Sequence, residues 1–450
     1  MKKNFWKKNF FSPFSLPVYF FALTILVGTI FLHHPLSLQN TSISWLDALF
    51  TATSATCVTG LVVVDTGSFF SPFGQGVILV LIQLGGLGIM TYTSLVFYLW
   101  RRKISITDRI AIGQSLLHDP SFHLGHFLIS MVKFVFIIEI LGALGLYLFD
   151  PIYFSPFSAL FHSVSAFCNA GFSLFSSSLI QWQDSIWINL VFIVLIVLGG
   201  LGFAVILELY EWLTGQKKSK LTWHTKIVLE TTLALIIGGT VLIFVAEFFA
   251  HPEQTHLKKN ILTALFQSVT CRTAGFNSVE VSKMTNLSLL IMIFLMFIGG
   301  SPGSCAGGIK TTTFRTFIAF CWSSLIGRKQ CVIGKYALED KSLNKALTLI
   351  IFAFVLIFVA TAILLASEGG DVPHHLSKGL FLEILFEVVS AFGTVGLSVG
   401  LTPQLSIVGK WVIICLMFIG RLGPILFLSL LQSWQSQERF KWPENSLLIG

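Results

Sequence analysis

The chain has 450 residues, of which 54% are hydrophobic and only 11% charged, with a mean hydropathy of +0.82 and a formal net charge of +8. Soluble domains carry about a quarter charged residues, so this composition excludes a water-soluble fold and predicts a polytopic membrane protein. The positive balance is explained by basic loops on one membrane face, not by nucleic-acid binding.

A span needs ~20 apolar residues. In chain order, candidate spans lie at 16–32, 74–100, 127–149, 186–212, 223–249, 287–299, 343–366 and 407–431, the sixth interrupted after Gly299. The first follows MKKNFWKKNF with no small-residue cleavage site, so it reads as a retained span and not a secretory signal. Nineteen of the 29 basic residues fall on one side of these spans, among them Lys2, Lys3, Arg101, Arg102, Lys217, Lys218, Arg328, Lys329 and Arg439. Lys258, Lys259, Lys283, Lys378 and Lys410 fall on the other. The excess of Lys and Arg predicts that both termini are cytoplasmic, in agreement with an even number of spans.

Between the spans one phrase recurs. SATCVTGL, SAFCNAGF, TCRTAGF and SAFGTVGL place a glycine at Gly60, Gly171, Gly275 and Gly396, at intervals of 104 to 121 residues. Each follows ALF or ILF, ending at Phe50, Phe161, Phe266 and Phe386, and a hydroxyl four residues later at Ser54, Ser165, Thr270 and Ser390. The third copy is one residue shorter between its Phe and its Gly. A second phrase follows in the same register: LGGLG at 84–88 and 198–202, IGGSPG at 298–303 and IGRLG at 419–423. The expected architecture is therefore all-α, with eight transmembrane helices in four parallel repeats of span, re-entrant pore loop and span around a central pore. The repeats divide the chain at 1–104, 105–218, 219–330 and 331–450, the last with a short cytoplasmic tail.

The short apolar helix in each repeat is about a dozen residues, too short to cross, and Ser44-x-x-Asp47 reads as a capping box for the first. Non-helical backbone at membrane depth is tolerated only against protein or a watery cavity, so the four loops are expected to converge. A bare cation in an apolar medium is disfavoured by tens of kcal/mol. Rings of backbone carbonyl oxygens can replace its hydration shell, and glycine permits the close approach this needs. Four helix C-termini aimed at the loops, each carrying roughly half a negative charge, favour a cation there.

These motifs resemble the Trk/Ktr/HKT superfamily of K⁺ transport proteins, and within it the bacterial KtrB-type pore-forming subunit, over nearly the whole chain. The resemblance implies K⁺ uptake through a selectivity filter whose carbonyls come from Cys57, Val58 and Thr59, from Cys168, Asn169 and Ala170, from Arg272, Thr273 and Ala274, and from Gly393, Thr394 and Val395. Each set is followed by its filter glycine, Gly60, Gly171, Gly275 or Gly396. It admits Na⁺ as an activator and implies no other cofactor. It also implies a bacterial inner-membrane location in the lipid bilayer, a homodimer, and a separate cytosolic ring of nucleotide-binding, KtrA-like regulatory subunits. The apolar end of the tail, LLIG, is expected to tuck into the dimer seam.

Gly299 to Gly308 reads GGSPGSCAGG, with five glycines and a proline in ten residues. A helix kink explains this, but a full break explains it better, because so many poor helix formers cost several kcal/mol together. The resemblance assigns a gating loop here over 301–312, with Gly299, Gly300, Ser301, Pro302, Gly303, Gly307 and Gly308 as its gating residues. Lys310 at its end either reaches cytosolic water or pairs with an acid. Arg421 replaces the second glycine of the LGGLG phrase, and an arginine inside a span is expensive and points to function. It lines the pore as a barrier to cations, as the resemblance implies, or forms an ion pair with Glu139, the unexplained mid-span acid; both can hold together.

Cys57, Cys168 and Cys271 occupy similar loop positions, and a soft-metal ring and small buried thiols are the two readings. Glu383 and Glu387 either enrich cations at the outer mouth or pair with Lys378. Lys133 is expected to snorkel, and the scattered histidines show no metal-ligand spacing. A secondary carrier driven by Na⁺ or H⁺ is the alternative function; it calls for buried midplane carboxylates, for which Glu139 is the candidate. An intramembrane enzyme calls for a nucleophile–base pair or a metal motif, and neither is present in the sequence.

Overall fold

A computed structural model describes residues 16–39, 41–87, 124–215, 220–250, 257–370, 373, 377 and 379–423. The basic N-terminus, the stretch 88–123 and the tail after 423, with the expectations placed on them, lie outside the described residues.

The described chain is helical apart from one two-stranded hairpin, Val332–Ile333 (β1) with Tyr336–Ala337 (β2). Helix α1 (Leu16–His33) leads into the short α2 (Trp45–Thr56) and then α3 (Pro72–Gly86). The order repeats as α4 (Leu124–Phe149), α5 (Pro156–Phe167) and α6 (Ile186–Leu201), the last followed by α7 (Phe203–Leu213). It repeats again as α8 (Trp223–Ala250), α9 (Leu257–Thr270), α10 (Asn286–Phe297) and α11 (Thr311–Leu325). It ends with α12 (Asp340–Glu368), α13 (Leu380–Gly393) and α14 (Ile407–Leu422).

Helix starts follow local chemistry. Ser44, Ser71, Ser155, Thr285 and Ser406 are N-caps whose side-chain oxygens accept an amide N–H of the first turn, which satisfies donors that a helix N-terminus leaves free. Proline stands in the first turn of α3 and α5, where its missing N–H costs nothing. Asp47 does not complete a capping box to the Ser44 backbone: its carboxylate accepts the Ser44 hydroxyl at 2.8 Å and the Lys410 ammonium at 2.6 Å.

Three described helices are long and apolar enough to cross a membrane: 129–149 within α4, α8, and α12. The expected continuous span 186–212 is instead broken at Gly202, where α6 and α7 meet at 107°. The sixth span leaves helical geometry at Ile298. The second and eighth expected spans run into residues outside the described set. In the fourth and sixth expected spans it is a break, and not a lack of apolar sequence, that interrupts the helix.

The core lies where the short helices meet. Phe50, Phe161, Phe266 and Phe386 are all fully buried, so the recurring ALF or ILF phrase is a packing unit. The long helices turn apolar side chains outward, with Leu148 68% and Phe358 74% exposed. Exposed apolar surface of this extent marks contact with something other than water, which in this chain is lipid.

Candidate functional site

The site begins at the C-terminal ends of α2, α5, α9 and α13. Just past each end one residue enters the left-handed region: Val58 (φ 55°), Asn169 (φ 59°), Thr273 (φ 71°) and Thr394 (φ 52°). Such a conformation costs about 1–3 kcal/mol for a residue with a side chain and persists only where its surroundings enforce it. The enforcing bonds are visible. The N–H groups of Thr59, Ala170 and Val395 donate to the carbonyls of Ser54, Ser165 and Ser390 at 2.8, 2.7 and 2.8 Å. In the third copy Ala274 donates to Thr270 at 2.9 Å, a turn one residue tighter, as its missing residue requires.

The recurring hydroxyls add a second tie. Ser54 and Ser390 accept the N–H of Gly60 and Gly396, each at 3.1 Å. Ser165 and Thr270 donate instead to the carbonyls of Phe172 and Phe276, at 2.8 and 2.6 Å.

Each turn then reaches its glycine, at φ of 93°, 69°, 81° and 90° for Gly60, Gly171, Gly275 and Gly396. A Cβ on Gly60 would stand 2.5 Å from the Ala170 carbonyl oxygen, one on Gly171 2.9 Å from that of Ala274, and one on Gly275 2.5 Å from that of Val395. One on Gly396 would overlap the Thr59 carbonyl. The contacts run first to second, second to third, third to fourth and fourth to first. The glycines close a ring, and backbone carbonyls of all four turns lie beside it. Cys57, Val58, Thr59, Cys168, Asn169, Ala170, Thr273, Ala274, Gly393, Thr394 and Val395 are all buried there. Arg272 is buried too, but its guanidinium reaches back to the Thr232 carbonyl and hydroxyl on α8, at 3.4 and 3.5 Å. Only its backbone remains for the turn.

The second glycine phrase packs these turns. Gly85, Gly199 and Gly420 each have a short-helix carbonyl, that of Thr56, Phe167 or Phe392, where a side chain would stand. The last glycine of the phrase takes positive φ at Gly202 (89°), Gly303 (71°) and Gly423 (81°), so the phrase that packs a helix also ends it.

Residues 298–310 form a compact non-helical loop. Gly299 N–H donates to the Ile309 carbonyl at 2.8 Å and Thr311 N–H to that of Gly300 at 3.0 Å. Ser301 and Cys305 donate to the Gly200 and Gly199 carbonyls at 3.0 and 3.1 Å, and Phe203 N–H returns a bond to Gly303 at 3.1 Å. The loop is thus docked on the break between α6 and α7. Its other side abuts the fourth turn, with Gly307 against the Thr394 side chain and Gly308 against Gly393. Lys310 meets no acid: its ammonium donates to the Ala306 carbonyl at 2.6 Å.

Arg421 is buried and donates to two carbonyls, through Nη1 to Cys305 in the loop and through Nη2 to Gly85 on α3. Of the two readings, the ion pair with Glu139 is not the one formed; these carbonyl bonds stand in its place. Glu139 instead accepts from Gln83 Nε2 at 3.3 Å and from the Cys168 thiol at 3.8 Å. A guanidinium with five donors suits two carbonyls on separate elements. Glu387 is fully buried, not open to the mouth, and accepts the hydroxyls of Ser398 and Thr402; Lys378 lies outside the described residues. Cys57, Cys168 and Cys271 are buried free thiols. Among the described residues no three of His, Cys, Asp and Glu stand together as a metal site.

Residues 17–438 match the TrkH family, described as a cation transport protein. The chain belongs to that family. It is 38% identical over 451 residues to the Ktr system potassium uptake protein B of Bacillus subtilis, covering 98% of this chain and 97% of that one. It is 37% identical over 466 residues to the potassium/sodium uptake protein NtpJ of Enterococcus hirae, covering 100% and 99%. Its fold is similar to the crystal structure of the potassium transporter TrkH from Vibrio parahaemolyticus, with a TM-score of 0.72 at 21% identity, covering 94% of this chain and 85% of that one. This is a family of membrane transport proteins, not of enzymes.

Proposed function

We propose that this protein takes up K⁺ through a filter of backbone carbonyls supplied by its four glycine turns. One observation carries the reading: the closed ring of contacts from Gly60 to Gly171, Gly275, Gly396 and back. A cation there meets neutral oxygens and the negative ends of four short helices. Neutral oxygens repay the dehydration of a weakly hydrated ion such as K⁺ more readily than that of Na⁺. The names of the relatives, potassium uptake protein B and potassium/sodium uptake protein NtpJ, support the same ion and leave room for Na⁺ as an activator or second substrate.

The loop 298–310 is the gate and Arg421 its latch. The buried cation repels an entering one, and its two carbonyl bonds hold the loop beneath the filter. Eight spans in four parallel repeats bring the turns to one axis, with boundaries at 1–104, 105–218, 219–330 and 331–450. The chain sits in a bacterial plasma membrane with both termini cytoplasmic. It pairs as a homodimer and takes its regulation from a separate cytosolic nucleotide-binding subunit.

The test replaces Gly60, Gly171, Gly275 and Gly396 with serine one at a time in a K⁺-transport-deficient cell and measures K⁺ against Na⁺ uptake. Loss of K⁺ preference at each position is expected. Four variants that discriminate like the parent chain overturn the filter.

A further inference from the structure

Glu387 stands one residue after Phe386 on α13, and its carboxylate holds the chain beyond the fourth glycine. Ser398 donates to Oε1 and Thr402 donates to Oε2 at 2.7 Å. The segment 398–402 is therefore wrapped around a fully buried carboxylate.

His162 stands in the same register, one residue after Phe161 on α5, and is also fully buried. Leu174 N–H donates to Nε2 at 3.2 Å, which makes that nitrogen an acceptor and leaves the proton on Nδ1, 2.7 Å from the Ser158 carbonyl. Ser173 Oγ lies 3.1 Å from Nε2. Ser173 is two residues past Gly171, and Ser398 is two residues past Gly396. One position of the short helix thus grips one position beyond the glycine in the second and fourth copies.

The other two copies lack this tie. Thr51 spends its hydroxyl on the Asp47 carbonyl at 2.9 Å, within its own helix. Gln267 is buried with neither amide atom bonded. The ring runs in the order first, second, third, fourth, so the tied copies face each other across it.

We infer that His162 and Glu387 are a diagonal pair of positioning residues that hold the outer rim of the filter at the spacing that discriminates K⁺ from Na⁺. The inference rests on the filter reading above and names the side chains that keep two of its four walls from closing inward. A carbonyl ring selects a larger ion only while it resists collapse onto a smaller one. Buried hydrogen bonds, charge-assisted at Glu387 and neutral at His162, are stiff ties for that purpose. Histidine and glutamate are unlike as residues, yet each presents an acceptor to the serine two places past its glycine, Ser173 or Ser398.

The test reconstitutes the full chain in liposomes and measures Rb⁺, K⁺ and Na⁺ uptake per mole of protein. Glu387→Gln puts an amide N–H₂ among donors, and His162→Leu removes the acceptor. Ser398→Ala and Ser173→Ala remove the same ties from the loop side and guard against misfolding of the first two. Each variant is expected to lose about tenfold in K⁺ preference over Na⁺, the weight of about one buried hydrogen bond, while K⁺ uptake itself persists. Thr51→Ala and Gln267→Met, at the same register without the tie, are expected to keep the parent ratio within about twofold. Unchanged ratios in all four tied variants overturn the inference, as does an equal loss in the Thr51 and Gln267 variants. A parent chain that carries no K⁺ overturns the filter itself, a separate result.

Discussion

Arg421 and Cys305 are joined by a hydrogen bond from a guanidinium Nη1 to a backbone carbonyl, 116 residues apart in sequence. The same side chain holds Gly85 through Nη2. A single residue of α14 therefore fixes the loop 298–310 against α3. Arg421→Ala removes both ties and the repelling charge, and Rb⁺ uptake is expected to rise by at least about tenfold per molecule, the factor that a single lost charged bond of about 1.5 kcal/mol supplies. Arg421→Lys, which keeps the charge but reaches one carbonyl, falls between. Unaltered uptake accompanied by lost expression would show that Arg421 serves folding alone.

Glycines of the second phrase differ from glycines elsewhere on the helices in what stands where a side chain would be. A methyl on Gly199 or Gly420 would overlap the carbonyl of Phe167 or Phe392. Each change to alanine is expected to destabilise by about 1–3 kcal/mol, the usual effect of overpacking. Gly76 on α3 and Gly238 on α8 face open space, so alanine there stabilises by about 0.4–1 kcal/mol through the unfolded chain. Thermal melting in detergent separates the two groups, and a common shift for all four would refute the packing argument.

Much of the site was legible because glycine, hydroxyl and phenylalanine recur in register, and register survives folding. The tighter third turn was visible as one missing residue before Gly275, and the loop at 299–308 as too many helix breakers to stay helical. The bend at Gly202 was not. An apolar run says that a segment is buried or in lipid, but it does not say that it is straight, and the positive φ at Gly202 is stabilised by a loop from a different part of the chain. The partners of Arg421 are hidden for a related reason: sequence shows acids such as Glu139 but not free carbonyls. The correspondence between His162 and Glu387 is hidden in the sequence because the two differ in residue type. Counting one place past each ALF or ILF would have aligned them.

Acidic residues at the ends of α8 and α12 bind the N-cap residues of α10 and α14, the third helices of their repeats. Glu368 accepts Ser406 N–H at 3.1 Å and its hydroxyl at 2.6 Å, and Glu247 accepts the N–H and hydroxyl of Thr285, both at 3.1 Å. Glu368→Ala leaves a helix start without its acceptor, with an expected cost of about 1–3 kcal/mol. Melting temperature reads this directly, and a shift no larger than that of Glu383→Ala would discount the cap.

Asp47 and Lys410 form a half-buried ion pair at 2.6 Å between α2 and α14, the first and last copies. Side-chain exposures of 21% and 17% limit its worth, so Lys410→Ala is expected to cost about 1 kcal/mol or less. Exchanging the two residues restores part of that loss if the pair itself matters. A double exchange as unstable as the sum of its singles would assign the effect to packing.

The third turn is one residue tighter than its companions, and only two of the four are braced from behind. A channel assembled from four identical subunits must change all its walls whenever one codon changes. Here the walls are written separately in one gene, so heredity can adjust ion preference a quarter at a time, keeping three sides intact while the remaining side is tried.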